Sequence, residues 1–249
     1  MQLKKRWEEI GPYYADLVDR APEDIRPFMP NLHDACLLPC LAVLASAADL
    51  PVPVTSTWFA AVEQQLLSEA RGYVSQAKRD LVGMLHRERQ RSLNVRKDAA
   101  QPMPEYTAAQ IDAELSKATS LFVCPNLWCR FDGALSAWDI CTHWRTAHPK
   151  LKWNDGWPRR GYEDLRNRCR SRWVQQPWIN AMRNGEEYAQ RALAGLGLPE
   201  DTSHAVLDAL VMSGRIVCKC GNPMLAPAES PRWATMVGPR CTCFAWGGY

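Results

Sequence analysis

The sequence predicts a mainly α-helical protein, and three observations favour this class. Apolar residues recur at three- and four-residue steps over long stretches, residues typical of helix N-caps precede several of these stretches, and strand-like alternation is rare. The chain has 249 residues, of which 47% are hydrophobic and 23% charged. This composition is typical of a folded globular chain with room for a core, and excludes a disordered or fibrous one.

The first part of the chain is predicted to alternate between helices and proline-containing segments. Residues 1–20 are expected to be helical, with a break or a new helix start at Gly11–Pro12. Residues 21–30 are expected to form an extended connector. Asn31 is a candidate N-cap for a helix over residues 32–50, which its internal proline should kink.

A long helix is predicted to follow, with Thr55 or Ser56 as its N-cap and its end near Ser92. Its apolar positions form the stripe of a helix with one buried face, and they are Trp58, Phe59, Val62, Leu66, Ala70, Tyr73, Val74, Ala77, Leu81 and Leu85. After a polar linker, Thr107 is expected to begin a short helix that ends at Ala118.

The predicted organisation has four parts: an N-terminal helical region with its linker (1–106), a helix followed by a segment rich in cysteine and histidine (107–149), a C-terminal helical region (150–217), and an irregular cysteine-containing tail (218–249). In the third part, helices are expected over 177–194 and 202–213. Asp201 or Thr202 is the candidate N-cap of the second of these.

The sequence contains no stretch of the roughly 18 apolar residues that would span a bilayer, and the best run, 37–50, is interrupted by a proline and an aspartate. No apolar signal-peptide core follows the charged N-terminus. We therefore expect an intracellular protein, in the nucleus or cytoplasm, with no membrane association. In a reducing compartment the ten cysteines are expected to be thiols or metal ligands before disulfides.

One segment, CPNLWCRFDGALSAWDICTHWRTAHP, has the ligand spacing of a Cys2His2 zinc finger. Cys124 and Cys129 form C-x4-C, thirteen residues follow, and His143 and His148 form H-x4-H. Classical fingers have about twelve residues in the middle and similar end spacings. Zinc takes thiolate sulfur and imidazole nitrogen in a tetrahedron, so these four residues are the predicted ligands of one structural Zn²⁺ ion.

The residues between the ligands favour a small ββα finger embedded in the helical domain. Phe131 and Ile140 can form its core, Gly133 allows the turn into the helix, Ser136 can cap the helix, and Pro149 can end it. Because the two histidines are five residues apart, the last helical turn is expected to loosen. The alternative is a set of four unrelated core and surface residues.

Cys141 lies two residues before the first histidine, and is expected to be a buried thiol on another face of the helix, with substitution as a ligand as the alternative. Sequence-specific DNA binding is not expected. The usual base-contacting positions would be Ser136, Asp139 and Thr142, and none is basic. A single finger also covers only about 3 base pairs. Arg130 and Arg145 could contact phosphate, whereas Trp138 and Trp144 suggest packing against the remaining protein.

A second candidate metal site consists of two C-x-C pairs twenty residues apart: Cys218, Cys220, Cys241 and Cys243. C-x-C is a strained bite for one tetrahedral metal, so thiols in a loose tail are the alternative. Cys36 and Cys40 are expected to be small core residues. No motif of a catalytic or nucleotide-binding site occurs, and we expect no enzyme activity.

Basic residues cluster over 86–97 and 159–172, although the net charge is only +3. Solvated helix faces are the ordinary interpretation of such clusters. The alternative is contact with an anionic partner, nucleic acid included, for which the candidates in the second cluster are Arg159, Arg160, Arg166, Arg168, Arg170 and Arg172.

Three stretches occur in an order that resembles a known group of proteins: RPFMPNLHDACLLPCLAVL (26–44), ATSLFVCP (118–125) and GRIVCKCGNP (214–223). The chain resembles uncharacterised basidiomycete fungal proteins of the F-box type, in the region that follows the F-box and holds a degenerate Cys2His2-like finger. The resemblance covers most of residues 1–223. It implies a substrate-receptor or adaptor role in a cullin-type ubiquitin ligase.

Two departures from that group stand out. No F-box is recognisable, so the chain is expected to correspond to the region after it. Trp233 is present in the last segment, but the histidine usual in the group is missing after it. From the residues and the resemblance together, we expect a zinc-binding protein-interaction module with a protein partner. The alternative is nucleic-acid binding through the two basic clusters and the finger.

Overall fold

The computed structural model describes residues 2–46, 53–93, 103–124, 133–148, 179–216 and 232–237. These residues are mainly helical, as predicted. The elements in chain order are α1 (Gln2–Arg20), a 3₁₀ turn (Arg26–Phe28), α2 (Leu32–Ala35), α3 (Pro39–Ser46), α4 (Ser56–Ser92), α5 (Ala108–Ser116), β1 (Phe122–Val123), α6 (Ala137–Ala147), β2 (Asn180–Ala181), α7 (Gly185–Gly195), α8 (His204–Met212) and α9 (Trp233–Val237).

The chain divides into two compact units. The first comprises the described parts of Met1–Ala77 and Cys141–Pro177, and the second those of Lys78–Ile140 and Trp178–Tyr249. Helices α4 and α6 contribute residues to both units, because a boundary falls inside each of them.

In the first unit, α1 packs against α2 and α3 through a face that includes Ile10, Tyr14 and Leu17. The break predicted at Gly11–Pro12 is wrong, because α1 runs through Pro12 without interruption. Proline removes one backbone hydrogen bond from the helix interior. Burial of Ile10 before Pro12, and of Tyr14 and Leu17 after it, favours the continuous helix nevertheless.

The segment between α1 and α3 also differs from its prediction. Residues 21–30 contain turns and the 3₁₀ turn instead of an extended connector. Asn31 caps a helix as predicted, since its side chain accepts a hydrogen bond from the backbone N–H of Asp34 at 2.8 Å. The helix expected over 32–50 is two helices, however. Pro39 has no N–H to bond the carbonyl of Ala35, so it begins α3 instead of kinking a longer helix.

Helix α4 has the N-cap and the end predicted from the sequence. Thr55 accepts a hydrogen bond from the N–H of Trp58 at 3.3 Å, and the helix ends at Ser92. Most of the predicted stripe is buried, namely Phe59, Leu66, Ala70, Val74, Ala77, Leu81 and Leu85. Val62 and Tyr73 are partly buried, and Trp58 is exposed over 40% of its surface.

The core of the second unit is formed by residues of β1, α7, α8, α9 and the segments beside them, with Leu121, Leu193, Leu207 and Trp233 fully or almost fully buried. Strand β1 pairs antiparallel with β2, with Phe122 opposite Ala181 and Val123 opposite Asn180. Thr107 caps α5 in a capping box with Gln110, and the helix ends at Ser116, two residues before the predicted end.

Three details of the second unit correct the sequence-based expectations. The helix expected over 177–194 begins only at Gly185, because residues 180 and 181 form β2. The N-cap of α8 is Ser203, whose hydroxyl accepts the N–H of Val206, and neither Asp201 nor Thr202. The segment expected to be an irregular tail contains α9.

Candidate metal centre

A short antiparallel pairing precedes the first candidate ligand. Phe122 and Leu135 exchange two backbone hydrogen bonds, with N···O distances of 2.9 and 2.8 Å. Cys124 follows β1 directly and is buried. Cys129 and Phe131 lie outside the described residues.

Helix α6 carries the histidines and begins with the predicted cap. The Ser136 hydroxyl oxygen accepts the N–H of Asp139 at 3.2 Å and donates its own proton to the Asp139 carboxylate at 2.7 Å. Ile140, predicted to belong to the finger core, is fully buried. The first turn of the helix is therefore fixed both by its cap and by an apolar contact.

The two histidines lie at the end of α6. His143 is within the helix, and His148 follows its last residue. The N–H of His148 bonds the carbonyl of Trp144 at 3.0 Å, which is ordinary α-helical spacing, so this hydrogen bond shows no loosening of the kind expected. The two imidazole rings are nearly perpendicular, and their centroids are 5.3 Å apart.

Three of the four predicted ligands come together. Cys124, His143 and His148 each offer one ligand atom, and these three atoms lie within 4.8 Å of one another. Cys124 and His148 are buried, and His143 is partly buried. Ligands of a tetrahedral zinc ion, at about 2.0–2.3 Å from the metal, lie about 3.3–3.7 Å from each other. The group could therefore hold a metal ion after a small contraction, and its sulfur and nitrogen donors are of the type that zinc prefers.

Burial also sets the protonation of the rings. It lowers the pKa of His143, and it lowers the pKa of His148, with a further contribution from the positive charge of His143. A lowered pKa favours the neutral imidazole near pH 7. The neutral ring is the form that binds metal ions.

Protein groups surround the second histidine. The buried ring of Trp144 lies against His148, with 5.3 Å between centroids. The side-chain amide of Asn31 donates a hydrogen bond to the carbonyl of His148 at 3.1 Å. Arg145, a candidate phosphate contact only in the nucleic-acid alternative, donates to the backbone carbonyl of Arg26. Trp138, on the first turn of the same helix, is 41% exposed and does not show the burial expected of it.

The other described cysteines lie apart from this group. Cys141 is a buried thiol, as expected, and it is not part of the group. Cys36 and Cys40 are buried core residues, as predicted. Burial raises the pKa of each of these two thiols to about 12, so they are poor nucleophiles and metal ligands.

Several predicted site residues fall outside the described part of the chain. They are Cys218, Cys220, Cys241 and Cys243 of the second candidate metal site, and Arg159, Arg160, Arg166, Arg168, Arg170 and Arg172 of the second basic cluster. Both sites remain predictions.

The described part of the first basic cluster is engaged within the chain. Arg89 forms ion pairs with Glu114 and with Glu186, and Arg91 pairs with Glu88. These carboxylates offset the positive charge that a phosphate backbone would need. The described residues therefore do not favour the nucleic-acid alternative, which also remains a prediction.

Two features of this site have no signal in the sequence. Asn31 was expected to cap a helix, but its donation to a residue 117 positions later has no local signal. The sequence predicts a helix where β2 lies, because two residues are too few for the alternation that identifies strands.

No family model, no curated protein and no solved structure matches this chain. Among the described residues, no helix combines the length and apolarity needed to cross a membrane.

Proposed function

We propose that this chain is a zinc-binding protein-interaction module in which one structural Zn²⁺ ion is held by Cys124, Cys129, His143 and His148. The convergence of three of these side chains carries the proposal. A closed site with four protein ligands has no open position for a substrate, and is therefore structural.

The zinc would supply a cross-link in a small ββα finger embedded in the helical protein. Cys124 follows β1 and the histidines end α6, so the ion would fix the hairpin to the helix. Three features support the finger: the pairing of Phe122 with Leu135, the capped start of α6, and the buried Ile140.

Metal analysis of the native protein tests the site. We expect one zinc per chain, lost in His143→Ala and retained in the matched control Cys141→Ala, which removes a buried thiol outside the group. Cys241→Ala reports on the second candidate site. Two zinc ions per chain, one of them lost in that variant, would establish the tail site as well. Absence of zinc from the native protein would refute the proposal.

We propose protein interaction as the role of the module, in the manner of a substrate receptor or adaptor of a cullin-type ubiquitin ligase. Support comes from the resemblance to F-box-type proteins and from the mainly helical fold. Trp58 and Trp138 are 40% and 41% exposed, and large partly exposed aromatic residues are the commonest anchors of protein interfaces.

Affinity purification of the full-length protein from cells tests the ligase role. We expect subunits of a cullin-type ligase to copurify, and fewer of them with Trp58→Ala or Trp138→Ala. Val206→Ala is a control, because Val206 is also exposed on a helix but is not aromatic. Purification without any ligase subunit would refute the ligase role and leave the zinc site untouched.

A further inference from the structure

We propose that Asn31 is a positioning residue for the metal centre, acting through the backbone of the ligand His148. The assignment requires the zinc site proposed above, and extends it to a residue that lies 117 positions away in the sequence. Asn31 itself does not touch the metal in this account.

The orientation of the Asn31 side chain is fixed by two different partners. The residue is fully buried. Its Oδ1 accepts the N–H of Asp34 at 2.8 Å, and its Nδ2 donates to the carbonyl of His148 at 3.1 Å. A reversed amide would set its NH₂ group against an N–H and its oxygen against a carbonyl, so only one orientation satisfies both partners.

The backbone carbonyl of His148 needs such a donor because of its position. The last carbonyls of an α-helix have no partner within the helix, and a buried carbonyl without a hydrogen bond is costly. The N–H of His148 bonds Trp144, so both backbone groups of the ligand residue are held. The imidazole projects from a backbone whose position Asn31 helps to define.

A second contact ties the same end of α6 to the same N-terminal segment. Arg145 donates to the carbonyl of Arg26, five residues before Asn31. The last turn of α6 is thus attached to residues 26–31 at two points, one through a side chain and one through the carbonyl of a ligand. Groups that orient metal ligands from outside the first coordination sphere commonly change metal affinity by about 10- to 100-fold.

The coupling has to act in both directions, since linkage between two binding events is reciprocal. If Asn31 favours metal binding through His148, then metal binding favours the hydrogen bonds of Asn31. Zinc should therefore slow hydrogen exchange of the Asp34 amide, whose N–H donates to the Oδ1 of Asn31.

Two substitutions in the full chain separate positioning from helix capping. Asn31→Ser keeps an oxygen that can cap α2 but is too short to reach the carbonyl of His148. Asn31→Ala removes both contacts. We expect both variants to bind zinc about 10- to 100-fold more weakly in competition with a chelator, and both to show altered Co²⁺ absorption bands.

Wild-type affinity in Asn31→Ser with weakened binding in Asn31→Ala would show that capping alone matters, and would overturn the proposal. Thr107→Ala is the control, because it removes the cap of α5 and should leave zinc affinity within about twofold of wild type, as expected for a residue outside the ligand surroundings. If Asn31→Ser does not fold, Asn31→Asp has the original shape, keeps the cap and lacks the amide donor.

These experiments distinguish failure of the zinc site from failure of the role proposed for Asn31. A native protein that binds no metal refutes the zinc site itself. If the native protein and Asn31→Ser bind zinc with the same affinity, the zinc site stands and only the proposed role of Asn31 is refuted.

Discussion

Phe122 and Leu135 pair through both of their backbone groups, and Phe122 also pairs with Ala181 on the other edge of its strand. The side chain of Phe122 is fully buried. This residue therefore joins Leu135, just before α6, to a strand about sixty residues later, a connection that nothing in the local sequence indicates.

Substitution of Phe122 should be among the most destabilising changes in the second unit. Phe122→Ala removes a buried ring at the centre of two strand pairings, and we expect a loss of about 3–5 kcal/mol in the free energy of unfolding. Urea denaturation measures it. Val206→Ala, at a residue 48% exposed, is the control and should change stability by less than about 0.5 kcal/mol. Similar midpoints for the two variants would contradict the described core.

The fold could be predicted from sequence where the signal is local. The stripe and cap of α4, the cap at Asn31 and the start of α5 at Thr107 all depend on neighbouring residues, and all three are confirmed. The predictions that were wrong concern features that depend on distant contacts. Pro12 remains inside α1 because the buried face of that helix continues past it, and β2 exists only because β1 lies beside it.

Trp233 shows how helix α9 is held within the second unit. Its side chain is fully buried, its indole N–H donates to the carbonyl of Ala118 at 3.3 Å, and its backbone N–H donates to Asp208 at 2.7 Å. We expect Trp233→Ala to cost about 3–5 kcal/mol in urea denaturation. Trp233→Phe keeps most of the apolar contact and should cost less. An unchanged midpoint in Trp233→Ala would mean that α9 does not contribute to the core.

His204 should make the stability of the protein depend on pH. Its ring is buried, one nitrogen bonds the carbonyl of Ser120 at 3.2 Å, and burial lowers its pKa. Below the unfolded-state pKa of about 6.5, the unfolded chain takes up a proton that the folded chain resists. The contribution of His204 to the free energy of unfolding is therefore fully present above this pH. It decreases as the pH falls, by at most about 1.4 kcal/mol per pH unit.

Denaturation of the wild type and of His204→Gln between pH 7.5 and 5.5 measures this contribution. Effects of other groups, the metal ligands included, are common to both proteins and cancel in the difference. We expect the free energy of unfolding of the wild type to fall more than that of His204→Gln as the pH falls. A difference that is constant over this range would contradict the buried neutral histidine.

The ion pairs of Glu114 should contribute more than those at the surface. Burial alone would raise the pKa of Glu114, but hydrogen bonds from Lys117 and Arg89 outweigh it and hold the pKa below its ordinary value. We expect Glu114→Gln to cost about 1–3 kcal/mol, because charge-assisted hydrogen bonds are lost at a buried carboxylate. The measurement is the free energy of unfolding near pH 7.

The matched control is Glu187→Gln, which removes a largely exposed pair with Arg191. Exposed pairs contribute between about 0 and 1 kcal/mol, so this variant should remain close to wild type. A double-mutant cycle with Arg89→Gln isolates the pairing energy of Arg89 and Glu114. Equal losses in the two glutamate variants would contradict the assignment of Glu114 to a buried network.

The candidate metal site was predicted from sequence more fully than the surfaces around it. Its four residue types and their spacing are dictated by zinc chemistry and can be read from the chain alone, and three of the four side chains converge. Cys141 lies outside this group, and its spacing of two residues from His143 places it on a different side of α6 from that ligand. The contacts of Asn31 and Arg145 with distant backbone carbonyls follow from tertiary structure, and no spacing rule predicts them.

X-ray absorption spectroscopy at the zinc edge of the native full-length protein tests the central claim most directly. We expect a four-coordinate ion with two sulfur ligands at about 2.3 Å and two nitrogen ligands at about 2.0 Å. His143→Ala should lose a nitrogen ligand or the ion altogether. A zinc ion with only oxygen ligands, or a native protein in which no zinc edge is detected, would contradict the account.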